Sequence, residues 1–180
     1  EAVGDQIDII VEAHSLTDTT SAIEFGRMIE EFRISAYEEP VMSLNPMQLK
    51  EVHDNVNIPI AAGERVFTRW GFRPFFENHI IDLIQPDLGT CGGFTEGKKI
   101  CDMAYVYDIS VQAHVCASPL STAVALHLES VIPNFVIHEH HTNNLKPWNK
   151  ELCTVDWQPV DGKFKVPEGP GLGCEFTDKV

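Results

Sequence analysis

The stretches RISAYEEP (residues 33–40) and IPIAAGER (residues 58–65) each carry a short apolar run that ends in a glutamate. The two glutamates, Glu38 and Glu64, are 26 residues apart, which leaves room for one strand, one helix and their connections. Runs that are apolar along their whole length and alternate with helices are typical of parallel strands buried on both faces. The pair therefore predicts a βα repeat in which each strand ends in a carboxylate.

The same pattern continues towards both ends of the chain. Further apolar runs of strand length are IDIIVE (7–12), IDLIQPD (81–87), ISVQAH (109–114) and FVIHE (135–139). The segments between the runs predict helices near 20–32, 43–55, 68–77, 95–108 and 119–131. Six parallel strands fit either an open doubly wound sheet or an incomplete (β/α) barrel. The glycine-rich pieces do not favour the first option, because they miss the spacing of a dinucleotide-binding loop.

Beyond residue 141 the repeat gives way to a tail that is rich in proline and glycine. We predict loops and a short strand pair there, so that residues 1–141 form the partial barrel and residues 142–180 a separate C-terminal tail.

Composition excludes several classes of protein. The 180 residues carry 13 basic and 27 acidic side chains, and the net charge of −14 argues against nonspecific nucleic-acid binding. There is no apolar run of about 18 residues that could span a membrane, and the first residues lack the pattern of a signal peptide. The five cysteines form no C-x-x-C pair, which suits a reducing compartment. We expect a cytoplasmic protein without nucleic-acid or membrane partners.

Each predicted strand ends in an ionisable residue, and in chain order these are Glu12, Glu38, Glu64, Asp87, His114 and Glu139. Parallel strands point the same way, so their C-terminal ends share one face, which in barrels carries the active site. Adjacent carboxylates repel one another unless a cation lies between them. Oxygen ligands favour a hard divalent ion, Mg²⁺ before Mn²⁺ or Ca²⁺. Any one of these residues alone could be a solvated loop residue, but the whole set favours one site.

The later strands supply candidates for proton transfer. Asp87 and His114 are placed to form a carboxylate–imidazole pair, in which the acid orients the ring and raises its basicity. Glu139 could hydrogen-bond a substrate oxygen, and His14 would be a second acid or base on the opposite flank. The histidines of HEHH (138–141) do not favour a zinc site, because neighbours on a strand point to opposite faces.

Five segments carry a family resemblance: YEEPV (37–41), AAGERVFTRWGF (61–72), IIDLIQPDLGTCGGFTEGKKICDMA (80–104), VQAHVCASP (111–119) and VPEGPGLG (166–173). Together they resemble the C-terminal barrel domain of the enolase superfamily, in its mandelate racemase/muconate lactonizing enzyme subgroup. The likeness is closest to the galactonate dehydratase-like sugar-acid dehydratases. It implies an α/β fold, the C-terminal part of a (β/α)7β TIM-like barrel with about six of its eight strands. The N-terminal capping domain of the family is expected to be absent from this chain.

The resemblance also implies a metal site. It makes Glu12, Glu38 and Glu64 the ligands of Mg²⁺. The first ligand of the family is usually an aspartate, and this chain has Glu12 in its place.

The remaining residues take catalytic roles by the same resemblance. Asp87 and His114 become the dyad whose histidine is the general base, and Glu139 hydrogen-bonds the substrate carboxylate as it becomes an enediolate. His14 would protonate the departing hydroxyl. Enolase-superfamily sites use this combination of a Mg²⁺ ion with a histidine or lysine base. The implied reaction is dehydration of a sugar acid to a 2-keto-3-deoxy acid.

Two alternatives stay open from the sequence. One is a racemase, epimerase or cycloisomerase on the same scaffold, and the other is an inactive fragment that lacks the first strands and the cap. The expected partners are a small sugar-acid substrate, further copies of the same chain, and a preceding segment or second chain that completes the barrel.

Overall fold

A parallel five-stranded sheet organises the chain in the computed structural model, which describes Gly4 and residues 6–178. The strands are β1 (Ile10–Glu12), β2 (Ala36–Glu38), β3 (Ile60–Ala62), β4 (Leu83–Ile84) and β5 (Ser110–Val111). Each strand lies beside the next one in the chain, in the order β1-β2-β3-β4-β5. A doubly wound sheet reverses its strand order at a switch point, whereas a barrel wall does not. The predicted α/β fold with a partial barrel wall is confirmed.

Helices follow the strands as predicted. They are α1 (Thr19–Ile29), α2 (Pro46–His53), α3 (Thr68–Glu77), α4 (Gly93–Val106), α5 (Pro119–Glu129) and a short α6 (Pro147–Lys150), with 3₁₀ turns at Glu30–Phe32 and Thr142–Leu145. Local sequence explains several of the starts. The Asp18 side chain accepts from the backbone N–H of Ser21 at the start of α1, and Asn45 does the same for α2. Prolines occupy the first turns of α2 and α5.

The core lies between the sheet and the helices. Tyr37, Ile60 and Ile84 point from the central strands into it, where Phe72 of α3 is also fully buried. Residues at the alternate positions, such as Ala61, form a separate small cluster on the other face of the sheet. Burial on both faces explains why these strands are apolar along their whole length.

The sixth predicted strand, residues 135–139, is not a regular strand. It meets β5 at one bridge, where the Val111 N–H donates to the Asn134 carbonyl (2.8 Å) and the Val136 N–H donates to the Val111 carbonyl (3.0 Å). Its other side has no strand neighbour among the described residues, and Phe135, Val136 and Ile137 stay exposed. A single bridge is too little for a regular ladder with β5, so the predicted strand is not formed.

The tail contains two antiparallel bridges, Cys153 with Phe176 and Val160 with Lys163, in place of the predicted strand pair. The side-chain amide of Asn149 donates to the Ala117 carbonyl (2.8 Å) and ties the tail to the start of α5. The boundary after residue 141 stays a prediction, and residues 1–3, 5, 179 and 180 of the two predicted domains lie outside the described residues. Within the described residues, every helix is too short or too polar to cross a bilayer.

An ion pair between Arg69 and Glu96 joins α3 to α4. The Phe67 side chain gives α3 no N-cap, and Glu96 Oε1 instead accepts from both the backbone N–H and Nε of Arg69, each at 2.8 Å. Its other oxygen pairs with Nη2 of the same guanidinium. The side-chain bond to Arg69 has the largest effect and the backbone bond the next largest, and the pKa of Glu96 falls from 4.5 to about 2.

Replacing Glu96 with glutamine should lower the stability of the protein at neutral pH and leave it nearly unchanged at strong acidity. The folded-state pKa lies below the unfolded value of 4.5, so the stabilisation is complete above about 4.5 and is lost as the pH falls towards 2. Urea unfolding of both proteins across this range measures the difference. Glu77→Gln, which removes an exposed pair with Arg73, is the control and should have little effect. A stability difference independent of pH would contradict the assignment.

Candidate active site

Asp87 and His114 form a hydrogen-bonded pair beyond the ends of β4 and β5. A parallel bridge aligns the two residues, and His114 Nδ1 lies 2.7 Å from Asp87 Oδ2. Burial alone would raise the pKa of Asp87, but hydrogen bonds from His114 and the Gly89 N–H have the larger combined effect. The pKa of Asp87 therefore lies below its ordinary value. Burial lowers the pKa of His114, but the Asp87 bond and the nearby charges of Glu139 and Glu64 outweigh it and raise the pKa. The pair therefore favours an ionised acid beside a basic imidazole.

The second ring nitrogen of His114 faces the other strand ends. An ionised Asp87 only accepts, so Nδ1 carries the proton of the neutral ring and Nε2 has the free lone pair. This Nε2 lies 3.5 Å from Glu64 Oε2. A cavity of about 160 Å³ adjoins the pair and is also lined by Ser121 of α5. The arrangement can accept a proton from a group held near Glu64.

The glutamates at the ends of β1, β2 and β3 crowd the same region. Burial, and to a smaller extent the charges of Glu12, Glu139 and Glu64, raise the pKa of Glu38 to about 7 against the opposing hydrogen bond of the Gln85 amide. Burial is the larger cause of this rise, and the like charges gathered at the strand ends add to it.

Three of the candidate residues approach closely enough to share one ion. One potential ligand atom each of Glu12, His14 and Glu64 lie within 4.8 Å of one another. Glu38, the third predicted ligand, is outside this closest group but carries the charge interactions just described. With Glu38, the glutamates offer three carboxylates, of which Glu38 and Glu64 are largely buried and Glu12 is exposed. Oxygen donors of this kind suit a hard divalent cation such as Mg²⁺, so the residues present fit the predicted metal.

His14 lies on an unusual loop directly after β1. Both His14 and Ser15 have left-handed backbone angles, with φ of 53° and 58°. His14 Nδ1 lies 2.6 Å from Glu12 Oε1, and its Nε2 lies 3.2 Å from Nη2 of Arg65. A guanidinium only donates, so Nε2 accepts and Nδ1 donates to Glu12.

Glu139 faces the site from the last apolar segment. Its Oε2 accepts from the Val115 N–H at 2.7 Å, and its charge contributes to the pKa values of His114 and Glu38. The neighbouring His138 points the other way and pairs with a buried glutamate of α5. Within the described residues the histidines of 138–141 join no group of three potential metal ligands.

Two charged residues of this region were missed from the sequence. Glu39 follows the predicted ligand Glu38, and Arg65 follows the predicted ligand Glu64. Their signal was present as two charges of opposite sign directly after two adjacent strand ends. Strand alternation assigns each of these neighbours to the face opposite its preceding glutamate, so the sequence alone does not predict that they reach the site.

Comparison with known proteins agrees with this geometry. The family model described as "Enolase C-terminal domain-like" matches residues 1–180. A D-xylonate dehydratase of Haloferax volcanii is 35% identical over 173 residues, which cover 96% of this chain and 42% of the relative. A D-galactonate dehydratase of Pectobacterium atrosepticum is 31% identical over 185 residues, which cover 100% of this chain and 48% of the relative.

A solved structure gives the same result. The crystal structure of a member of the enolase superfamily from Salmonella Typhimurium superposes with a TM-score of 0.97 at 61% identity, over 99% of this chain and 45% of that one. The chain spans less than half the length of each of these three proteins. With the parallel wall of strands and the charged residues at their ends, these matches lead to one conclusion. The chain belongs to the enolase superfamily and corresponds to its C-terminal barrel domain.

Proposed function

We propose that the polypeptide carrying this chain is a Mg²⁺-dependent dehydratase of a sugar acid, a carbon–oxygen lyase of the enolase superfamily. The observation that carries the proposal is that two histidines lie at one group of glutamates. His114 Nε2 lies 3.5 Å from Glu64 Oε2, and His14 Nδ1 lies 2.6 Å from Glu12 Oε1. The relatives named as xylonate and galactonate dehydratases support an aldonic acid as the class of substrate.

Glu12, Glu38 and Glu64 would hold the Mg²⁺ ion. When bound, the ion supplies positive charge where the substrate carboxylate becomes more negative. A bound cation would offset the neighbouring negative charges that, after burial, raise the pKa of Glu38.

His114 would act as the general base. Its Nε2 takes the proton from the carbon next to the substrate carboxylate, and Asp87 stabilises the imidazolium that forms. Glu139 would hydrogen-bond the substrate carboxylate. Loss of the 3-hydroxyl follows: the carbon–oxygen bond breaks, and the oxygen leaves as water once a proton reaches it. The resulting enol tautomerises to a 2-keto-3-deoxy acid.

His14 would give the proton to the departing hydroxyl. Its Nε2 accepts from Arg65 in the structure, so the acid role requires a proton on Nε2 and release from that contact. A racemase, an epimerase or a cycloisomerase would begin with the same proton abstraction and would then reprotonate or rearrange the enediolate. The relatives named as dehydratases favour dehydration over these reactions, and the paired Asp87–His114 dyad favours an active enzyme over an inert fragment.

We further propose that strand-forming residues outside the described part of the chain cover both edges of the sheet, whether from the same polypeptide or from a second chain. Ile9 and Ile10 at one edge and Val136 at the other are 36%, 39% and 56% exposed. Open apolar edges invite aggregation unless they are paired or covered. A cytoplasmic homo-oligomer is part of the same proposal.

The proposed covering predicts the size of the protein in its native source. We expect an intact mass about twice the 20.1 kDa of this chain, or a stable complex with a second chain. Denaturing and native mass spectrometry together distinguish the two. A lone 20.1 kDa monomer in both measurements would overturn the proposal.

The proposed reaction is tested with a panel of sugar acids and Mg²⁺, using the complete polypeptide as its source produces it. We expect a 2-keto-3-deoxy product from one of them and a loss of at least about a hundredfold in His114→Asn, since general-base catalysis contributes that much or more. Mg²⁺ binding should persist in His114→Asn and weaken in Glu64→Gln. Exchange of the α-proton without the keto product would favour a racemase, and full activity in His114→Asn would exclude His114 as the base.

The hydrogen bond between Asp87 and His114 predicts a pKa change that can be measured without substrate. Replacing Asp87 with asparagine removes the anionic acceptor at Nδ1 and should lower the pKa of His114. The titration of the His114 ring, followed by NMR in the metal-free protein, measures this. Asp102→Asn is the matched control, because Asp102 pairs with Lys98 along the exposed side of α4. An equal His114 titration in both variants would show that Asp87 does not tune the base.

A further inference from the structure

Glu39 is a fully buried carboxylate next to the proposed metal site. It is 0% exposed and has a left-handed backbone with φ of 42°. Its oxygens accept from Ser15 Oγ at 2.5 Å, from the Gly63 N–H at 2.9 Å and from Ser43 Oγ at 3.3 Å. Glu39 therefore joins the chain segments that follow β1, β2 and β3, which are the segments that carry His14, Glu38 and Glu64.

Arg65 is the counter-ion of this buried charge. Its Nη1 lies 3.3 Å from Glu39 Oε2 and 2.5 Å from Glu64 Oε1, while Nη2 reaches His14 Nε2 at 3.2 Å. One guanidinium thus lies between a buried acid and two residues of the proposed site. A buried charge without a partner is strongly disfavoured, so Glu39 and Arg65 need one another.

The position of Arg65 creates a competition at Glu64. A cation bound by Glu64 and the guanidinium on the same carboxylate repel one another. The bond to Glu39 gives Arg65 a second anionic partner that does not belong to the proposed metal ligands. Arg65 can therefore give up its contact with Glu64 without becoming an unpaired charge.

We propose that Glu39 is a positioning residue that holds Arg65 and thereby leaves Glu64 free to bind the metal. This inference rests on the proposed function, because it assumes that Glu12, Glu38 and Glu64 bind a divalent cation. Of the two adjacent glutamates, Glu38 is a proposed ligand of the metal and Glu39 is not. Glu39 would instead affect the metal affinity through Arg65.

Replacing Glu39 with glutamine changes the partner of Arg65. An amide keeps an oxygen for the Gly63 N–H but turns its NH₂ group towards the guanidinium or towards the serines. Arg65 then has Glu64 as its one anionic partner among the groups it contacts in the described residues, and it competes with the metal there. The effect on metal binding arises although Glu39 is not itself a proposed ligand.

The test measures Mg²⁺ binding by calorimetry and thermal unfolding without metal, using the complete polypeptide as its source produces it. We expect Glu39→Gln to weaken Mg²⁺ binding about 10- to 100-fold, as for other residues that orient metal ligands. Arg65→Gln alone should lower the unfolding temperature, because Glu39 loses its counter-ion, but should not weaken Mg²⁺ binding. The double variant Glu39→Gln/Arg65→Gln should recover most of the Mg²⁺ affinity, because the competing charge is gone.

The control is Glu96→Gln, which removes the acid of another glutamate–arginine pair away from the strand ends. It should lower stability without changing Mg²⁺ affinity. Mg²⁺ affinity unchanged in Glu39→Gln, or lost equally in the double variant, would overturn the inference while the proposed function stands. No Mg²⁺ binding by the unaltered protein would overturn both.

Discussion

Repulsion among carboxylates at the ends of parallel strands is the constraint on which the rest of this structure depends. Strands that point the same way bring their last residues together, and here those residues are acidic. The pKa of Glu38 is raised mainly by its burial, and the repulsion from three neighbouring carboxylates adds to that rise. Each cationic or proton-donating group nearby, namely His14, Arg65 and His114, lies where it moderates that repulsion.

The site combines two kinds of electrostatic compensation. Asp87 and His114 are hydrogen-bonded to each other, and this bond lowers the pKa of Asp87 and raises the pKa of His114. Arg65 instead shares one positive charge among Glu39, Glu64 and the lone pair of His14. The Asp87–His114 bond joins two fixed partners, whereas the charge of Arg65 can be redistributed among several. The dyad is thus suited to chemistry, and the arginine to adjusting the site between its empty and occupied states.

The fold was predictable because its signal is repeated. Apolar runs at a spacing near 26 residues determine a parallel sheet, and the strand ends then determine which side chains meet. The seven candidate site residues do lie together, although their roles stay predictions. The segment 135–139 was harder, because an apolar run alone does not show how many ladder bonds it will form, and this one meets β5 at a single bridge. Glu39 and Arg65 were missed for a related reason. Their backbone leaves the strand geometry, as the positive φ of Glu39 shows, so alternation no longer gives the direction of their side chains.

The two histidines are held by very different parts of the molecule. His114 is paired across adjacent strand ends and its side chain is 19% exposed, whereas His14 is 57% exposed on a loop with two consecutive left-handed residues. Such conformations cost about 1–3 kcal/mol each and persist only where surrounding contacts enforce them. The site therefore divides into a wall of strands that orients the proposed base and an exposed loop that carries the proposed acid. A substitution in that loop would change the second step of the proposed reaction and leave the proposed base and its orientation intact.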